Sequence, residues 1–195
     1  LRQMATKTKT ISNIKLVIFG TSQIGWKLGM GGFYKTNDGG ASWTYTGGPF
    51  FADGGEFSKM FALNGNQLWV LKSSNNDENG ANVWYTSNGG TNWVPVNTGL
   101  QSTAQNQVFY SGMKMSSSGK GFIIGSVYKP QTNSREGIIL KTTDMGLSWA
   151  VQCFPDEIFF NLLYISDNDW IVLGNQGYYD NSKVIQRRTN DIGEN

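Results

Sequence analysis

A chain of 195 residues with a net charge of +2 can bury a substantial core, and it lacks the positive excess that nucleic-acid binding requires. Charged residues make up 15% of the chain and glycines number 25, a turn-rich profile typical of proteins built from many short strands. The absence of histidine excludes histidine-based catalytic triads and histidine metal ligands, and the single Cys153 excludes an intrachain disulfide.

The first apolar stretch, Leu16 to Phe19, is too short for a signal sequence or a membrane span, so no membrane insertion is expected. The sequence opens on Leu1 rather than methionine, and we therefore expect a processed or partial product. Cys153 stands between Val151 and Phe154 and is predicted to fill the core.

The first repeating unit begins with the apolar stretch Leu16 to Phe19. It continues through two strand-like segments, Gly25 to Gly29 and Gly32 to Thr36. The phrase KTNDGGASW then predicts a hairpin turn. Asp38 can accept backbone N–H bonds, Gly40 supplies a positive φ, and Trp43 can fold back over the turn and be largely buried there.

The same succession returns at intervals of about 50 residues, the size of a propeller blade. The phrase recurs as YTSNGGTNW and KTTDMGLSW and begins again as RTNDIGEN. Its turn residues are Asp38, Gly40 and Trp43, then Asn88, Gly90 and Trp93, then Asp144, Gly146 and Trp149, then Asp191 and Gly193. We therefore predict an all-β fold, a β-propeller of four-stranded antiparallel blades in one domain, 1–195. The predicted blades are 11–46, 57–97, 108–153 and 158–195, the last incomplete.

The phrase resembles the Asp-box, or bacterial neuraminidase repeat, of sialidases, sortilin-type receptors, some glucanases and photosystem II assembly-factor-like proteins. The Lys-Thr before the box, at Lys35 and Lys141, is most similar to the assembly-factor group. The resemblance implies a box between the third and fourth strands of each blade with a structural role. About four blades are visible, and we expect them to belong to a larger propeller of six to eight. The alternative is a closed four-blade ring completed by residues 1–9 or by a second chain.

Loops on the rim opposite the boxes are the predicted ligand-binding region, since loops on rigid scaffolds carry function. The candidate ligand-binding residues are Tyr178, Tyr179, Asp180, Phe50, Phe51, Asp53, Tyr128 and Arg135. Aromatic rings beside carboxylates suit a sugar or a peptide, although the same rings can simply pack on the sheet. No cofactor and no metal site are predicted.

The predicted function is a non-catalytic binding or scaffolding module that engages a protein or a glycan. We expect it in a secreted, periplasmic or cell-surface protein of bacterial type. The alternative is a fragment of a sialidase-like or glucanase-like glycoside hydrolase. The sequence has four arginines, two of them the adjacent Arg187 and Arg188, which argues against a sialidase arginine triad.

Overall fold

The computed structural model describes residues 14–29, 32–48, 56–73, 83–177 and 183–189, and this part of the chain consists of β-strands and turns. The strands form four antiparallel sheets that follow one another in chain order. Across these ranges, no helix has the length and apolar character needed to cross a membrane.

The first two sheets each contain four strands in sequential order. Sheet 1 consists of β1 (Leu16–Phe19), β2 (Gly25–Gly29), β3 (Gly32–Thr36) and β4 (Thr44–Gly47). Sheet 2 consists of β5 (Glu56–Ala62), β6 (Leu68–Ser73), β7 (Val83–Thr86) and β8 (Val94–Pro95).

Sheets 3 and 4 are built from longer strands. Sheet 3 consists of β9 (Gln107–Met115), β10 (Gly121–Lys129), β11 (Ser134–Thr142) and β12 (Ala150–Pro155). Sheet 4 consists of β13 (Glu157–Ser166), β14 (Asp169–Gln176) and β15 (Lys183–Thr189). The turn residues Asp191 and Gly193 of the fourth phrase lie outside the described residues.

Because neighbouring strands are antiparallel, the connections between them lie at two opposite ends of the sheets, here called rims. Turns between first and second strands and between third and fourth strands lie at one end of each sheet, here called the turn rim. Connections between second and third strands and between consecutive sheets lie at the other end, the loop rim. The three repeated phrases join third and fourth strands, so they occupy the turn rim, as predicted.

Alternating side chains give every sheet two faces, and the facing sides of consecutive sheets pack on each other. The forward face meets the next sheet in the chain and carries Trp26 in sheet 1, Trp69 in sheet 2 and Phe122 in sheet 3. These three side chains occupy equivalent positions, one residue after the partner of the phrase threonine. The backward face meets the preceding sheet.

Three apolar clusters fill the spaces between consecutive sheets. Trp26 and Leu28 pack on Leu68 and Val70 between sheets 1 and 2. The second cluster joins sheets 2 and 3 around Trp69, and the third joins sheets 3 and 4 around Phe122. The first strands β1, β5, β9 and β13 contact one another in succession, so they lie on the inner side of the array.

The prediction that Cys153 fills the core is wrong. Cys153 lies on β12, which forms the outer edge of sheet 3, and its side chain is exposed. The neighbouring residues Val151 and Gln152 are exposed as well. An edge strand has one sheet neighbour only, so an apolar sequence does not by itself place a residue in the core.

Candidate functional site

The three repeated turns share one hydrogen-bond pattern centred on the threonine that ends the third strand. In the first turn, Thr36 Oγ1 donates to Asp38 Oδ1 at 2.7 Å and accepts from the Gly40 amide at 2.9 Å. Asp38 Oδ1 also accepts from the Ser42 amide at 2.9 Å. The corresponding bonds recur in the other two turns around Thr86 with Asn88 and Gly90, and around Thr142 with Asp144 and Gly146.

Each turn is also tied to the neighbouring turn of its own sheet. The amides of Gly39, Gly89 and Met145 donate at 2.9 Å to carbonyls of the first turn in sheets 1, 2 and 3. All three residues have a positive φ, and Met145 holds this conformation without being glycine, at φ 61°. The Asp38 and Asp144 carboxylates accept hydrogen bonds from the amides of Ser42 and Ser148 within their own turns.

The turn tryptophans are half-buried rather than largely buried as predicted. Trp43 and Trp149 each donate their indole N–H to the glycine carbonyl of the same turn at 3.0 Å. Trp93 differs, because its ring lies 5.0 Å from Phe33 and its Nε1 has no acceptor among the described residues. These residues open the outermost strands, which leaves one side of each ring uncovered.

The turn aspartates should make part of the stability depend on pH. Hydrogen bonds from Ser42 and Ser148 lower the pKa of Asp38 and Asp144 to about 2 from the ordinary 3.8. A lowered folded-state pKa stabilises the fold above pH 3.8, and this contribution is lost as the pH falls through about 2. We expect urea midpoints to fall less on acidification in the variant Asp38→Asn/Asp144→Asn than in the unmodified chain. Asn88 already fills the equivalent position, so asparagine fits the turn. Equal acid sensitivity of the two proteins would contradict this.

Most of the residues predicted to bind a ligand lie outside the described ranges. These are Phe50, Phe51, Asp53, Tyr178, Tyr179 and Asp180. Tyr128 and Arg135 are described, and the structure brings them together at the loop rim on the hairpin of β10 and β11.

Arg135 lies between two aromatic rings. Its guanidinium carbon is 5.2 Å from the ring centre of Tyr128 and 5.8 Å from that of Phe109. Tyr128 pairs directly with Arg135, and Phe109 lies diagonally across on β9, so all three are on the forward face of sheet 3. A guanidinium over aromatic faces is held by cation–π attraction, which restrains the side chain while leaving its N–H donors available.

The hairpin that carries this cluster is itself well bonded. The Tyr128 hydroxyl donates to Asn133 Oδ1 at 3.0 Å, and Lys129 pairs with Glu136 at 2.5 Å. Arg135 differs from Lys129, because it has no carboxylate within ion-pair distance in the described part of the chain. Its side chain is half-buried, as are the two rings. Arg135 and the two rings beside it therefore form a cation–aromatic cluster at the loop rim.

A second arginine lies along the same space between sheets 3 and 4. Arg187 on β15 stacks over Phe154 at 4.2 Å, and both oxygens of Glu157 accept its hydrogen bonds. Glu157 is only 5% exposed, and its bonds raise the pKa of Arg187. The charge of Arg187 is thus compensated by Glu157, whereas Arg135 has no carboxylate within ion-pair distance among the described residues.

Sequence reasoning did not identify Phe109 or Phe154 as neighbours of these arginines. The alternation of apolar residues in β9 indicates a strand there but leaves its register against β10 undetermined. The register shift between Ile124 and Gly125 moves Phe109 onto the same face as Tyr128. No local sequence pattern in β9 predicts that register shift.

Most of the described carboxylates are engaged in ion pairs or in hydrogen bonds of the turns. Within the described ranges, no group of three or more acidic or cysteine side chains could hold a metal ion. Glu136, Glu157 and Asp169 are paired with cations, and Asp38 and Asp144 close their turns. Asp167 accepts from the Tyr164 hydroxyl, and Asp156 is exposed on the link between sheets 3 and 4.

Comparisons with protein-family models and with curated protein sequences find no match. Several solved structures are similar, and two of them are described here. One is a YCF48 bound to a D1 peptide, which is 17% identical to this chain with a TM-score of 0.51. The matched region covers 91% of this chain and 54% of the YCF48 chain. The other is the GH74 xyloglucanase of Xanthomonas campestris, 13% identical with a TM-score of 0.59, covering 93% of this chain and 31% of its own.

These likenesses show the fold, and the chain spans about half and about a third of the two proteins. Together with the four antiparallel sheets they identify a partial β-propeller, as the repeats predict. The two similar proteins are a peptide-bound protein and a glycoside hydrolase, so fold alone does not distinguish binding from catalysis.

Proposed function

We propose that this chain is a non-catalytic binding module that engages an acidic segment of a protein partner at the loop rim. The observation that carries the proposal is Arg135, held between Phe109 and Tyr128 with no carboxylate partner among the described residues. The Asp-box turns lie at the other rim and serve the fold.

The chemistry of the cluster favours a carboxylate. A guanidinium presents planar N–H donors that match the two oxygens of a carboxylate, and charged hydrogen bonds of this kind contribute about 1.5–3 kcal/mol. The flanking rings exclude water from one side of the cation and offer apolar surface to the residues beside the acidic group. That combination suits a peptide containing aspartate or glutamate next to apolar side chains.

Two further facts support a protein ligand. The similar YCF48 structure has a bound D1 peptide. The chain also provides an ordered hairpin at this rim, with Tyr128 bonded to Asn133 and Lys129 to Glu136, so little order has to be gained on binding. We place the module in a secreted, periplasmic or cell-surface protein, and the glycine- and asparagine-rich composition suits a bacterial one.

The test is a peptide array in which each acidic peptide has an Asn/Gln counterpart, followed by titration calorimetry of the peptides that bind. Arg135→Gln should weaken binding at least about 10-fold, because a charged hydrogen bond is lost. The affinity of Arg135→Lys should lie between that of the unmodified chain and that of Arg135→Gln, since lysine keeps the charge but loses the planar donors. Lys141→Gln removes a cation from the same strand near the turn rim and should leave affinity unchanged.

Two results would contradict the proposal. One is equal binding of acidic peptides and their amide counterparts, and the other is unchanged affinity in Arg135→Gln. The glycoside-hydrolase alternative is tested in parallel by incubating the chain with β-glucans and sialosides. We expect no turnover. Hydrolysis that disappears in Asp53→Asn or Asp180→Asn would establish the alternative instead.

A further inference from the structure

The second repeated turn contains asparagine followed by glycine, the dipeptide in which asparagine loses its side-chain amide most readily. Asn88 precedes Gly89, whose lack of a side chain leaves its amide nitrogen sterically accessible to the Asn88 carboxamide. In the turns of sheets 1 and 3 the same position holds an aspartate, Asp38 or Asp144. Loss of ammonia from Asn88 would therefore create the residue type that the other two turns already have.

Hydrogen bonds of the closed turn hold both groups that would react. The reaction joins the nitrogen of Gly89 to Cγ of Asn88, and the Gly89 amide donates to the Asn66 carbonyl at 2.9 Å. Asn88 Oδ1 accepts from Thr86 Oγ1 at 3.1 Å and from the Asn92 amide at 2.9 Å. Asn88 is exposed to water, so burial does not protect it. Ring closure requires Gly89 to leave its acceptor and the Asn88 side chain to rotate, so local opening of the turn must come first.

A second asparagine–glycine pair lies in the first turn of the same sheet and is bonded differently. Asn64 Oδ1 accepts from the amides of Asn66 and Gln67, at 2.9 and 3.0 Å. The amide of Gly65 has no acceptor among the described residues. The two pairs share dipeptide, sheet and rim, and they differ in whether the attacking nitrogen is hydrogen-bonded.

The turn of sheet 2 also lies beside a cation from sheet 1. A Cβ atom at Gly89 would lie 2.4 Å from Lys35 Nζ, so this ammonium group lies against the turn. Partial burial lowers the pKa of Lys35, and no carboxylate of the described residues lies within ion-pair distance of it. A carboxylate at position 88 would bring a negative charge close to this ammonium group, which favours the acid over the amide.

We propose that Asn88 is a deamidation site that the closed turn protects, and that the turn can close again on the aspartate that forms. Once Gly89 leaves Asn66, its nitrogen attacks Cγ of Asn88. A C–N bond forms, the Cγ–Nδ2 bond breaks, and the amide proton of Gly89 leaves with the ammonia. Water then opens the succinimide ring. Addition at the former side-chain carbonyl gives aspartate, and addition at the main-chain carbonyl gives isoaspartate, which lengthens the main chain by one carbon and does not fit the turn.

This inference is independent of the Arg135 proposal, because the turn lies at the opposite rim. Failure of peptide binding in Arg135→Gln and loss of ammonia from Asn88 are measured separately, and neither result bears on the other.

The test is peptide mapping by mass spectrometry after incubation of the full chain at mildly alkaline pH, both folded and in concentrated urea. In urea, Asn64 and Asn88 should lose ammonia at similar rates. In the folded chain the rate at Asn88 should fall at least about 10-fold and lie below the rate at Asn64, because only opening of the turn permits the reaction. Equal rates at Asn88 in the folded and unfolded chain would overturn the proposal. A folded-chain rate at Asn88 above that at Asn64 would overturn it too.

Thr86→Val tests whether the turn bonds provide the protection. It removes the hydroxyl that donates to Asn88 and accepts from the Gly90 amide, and it should raise the folded-chain rate at Asn88 about 5-fold, the effect of one ordinary hydrogen bond. Thr142→Val makes the same change in the turn of sheet 3 and is the matched control, in which the rate at Asn88 should not change. An unchanged rate in Thr86→Val, or an equal rise in both variants, would contradict protection by this turn.

Asn88→Asp tests whether the turn accepts the product. At neutral pH its urea midpoint should be higher than that of the unmodified chain, because the carboxylate accepts the bonds that Asp38 and Asp144 accept in their turns. The difference should shrink in a Lys35→Gln background, where no ammonium group lies beside the new carboxylate. A midpoint equal to or below that of the unmodified chain would show that the turn does not favour the product, and would overturn this part of the proposal.

Discussion

Replacing Trp69 with alanine is expected to lower the free energy of unfolding by about 3–5 kcal/mol, the usual loss for a buried aromatic residue. Trp69 is 0% exposed and stacks on Tyr85 with ring centres 4.5 Å apart. It also approaches Phe61 at 6.2 Å and lies in the cluster that joins sheets 2 and 3. Truncation would leave a cavity between two sheets that are held in place by their own hydrogen bonds, so the space cannot readily close.

Trp69→Phe is the matched control for this prediction. The indole Nε1 of Trp69 has no acceptor among the described residues, so removing it should leave no broken hydrogen bond there. Sheet 3 already has Phe122, 1% exposed, at the equivalent position. The phenylalanine variant should therefore lose less than about 1.5 kcal/mol in urea unfolding. Equal losses in the two variants would show that the indole ring edge, rather than the buried aromatic volume, stabilises this contact.

Gly125→Ala is expected to cost about 1–3 kcal/mol and to weaken ligand binding at the Arg135 cluster. A Cβ atom at Gly125 would lie 2.0 Å from the carbonyl oxygen of Phe109, so the backbone of β9 would have to move. This is the point where the β9–β10 register shifts and where Phe109 is placed beside Arg135. Stability and peptide affinity should fall together.

Gly29→Ala makes the same substitution in β2, where the new Cβ would meet only the Tyr34 ring, at 3.4 Å. It should change the unfolding free energy little and leave peptide affinity unaltered. The prediction for Gly125 fails if the two glycine variants have similar urea midpoints. It also fails in its second part if Gly125→Ala is destabilised but binds peptide as well as the unmodified chain.

The repeated turns could be predicted from the sequence because their bonds join residues close together in the chain. The Thr142 hydroxyl donates to Asp144, two residues later, and accepts from the Gly146 amide, four residues later. The nine-residue phrase therefore contains all the residues of this hydrogen-bond pattern. The regular recurrence of the phrase with its strand-like segments then predicted an all-β propeller, since each unit must bury its faces against the next. The comparison structures confirm that fold.

The candidate site required the tertiary structure. Tyr128 and Arg135 could be chosen from one loop, but Phe109 joins them across β9, at a distance in sequence where the register shift decides which face a side chain occupies. The sequence likewise places Cys153 between the apolar residues Val151 and Phe154, while the position of β12 at the sheet edge leaves its side chain exposed. Local hydrogen bonds are encoded by neighbouring residues, whereas register and burial depend on which strands and sheets meet, and those contacts join residues far apart in the chain.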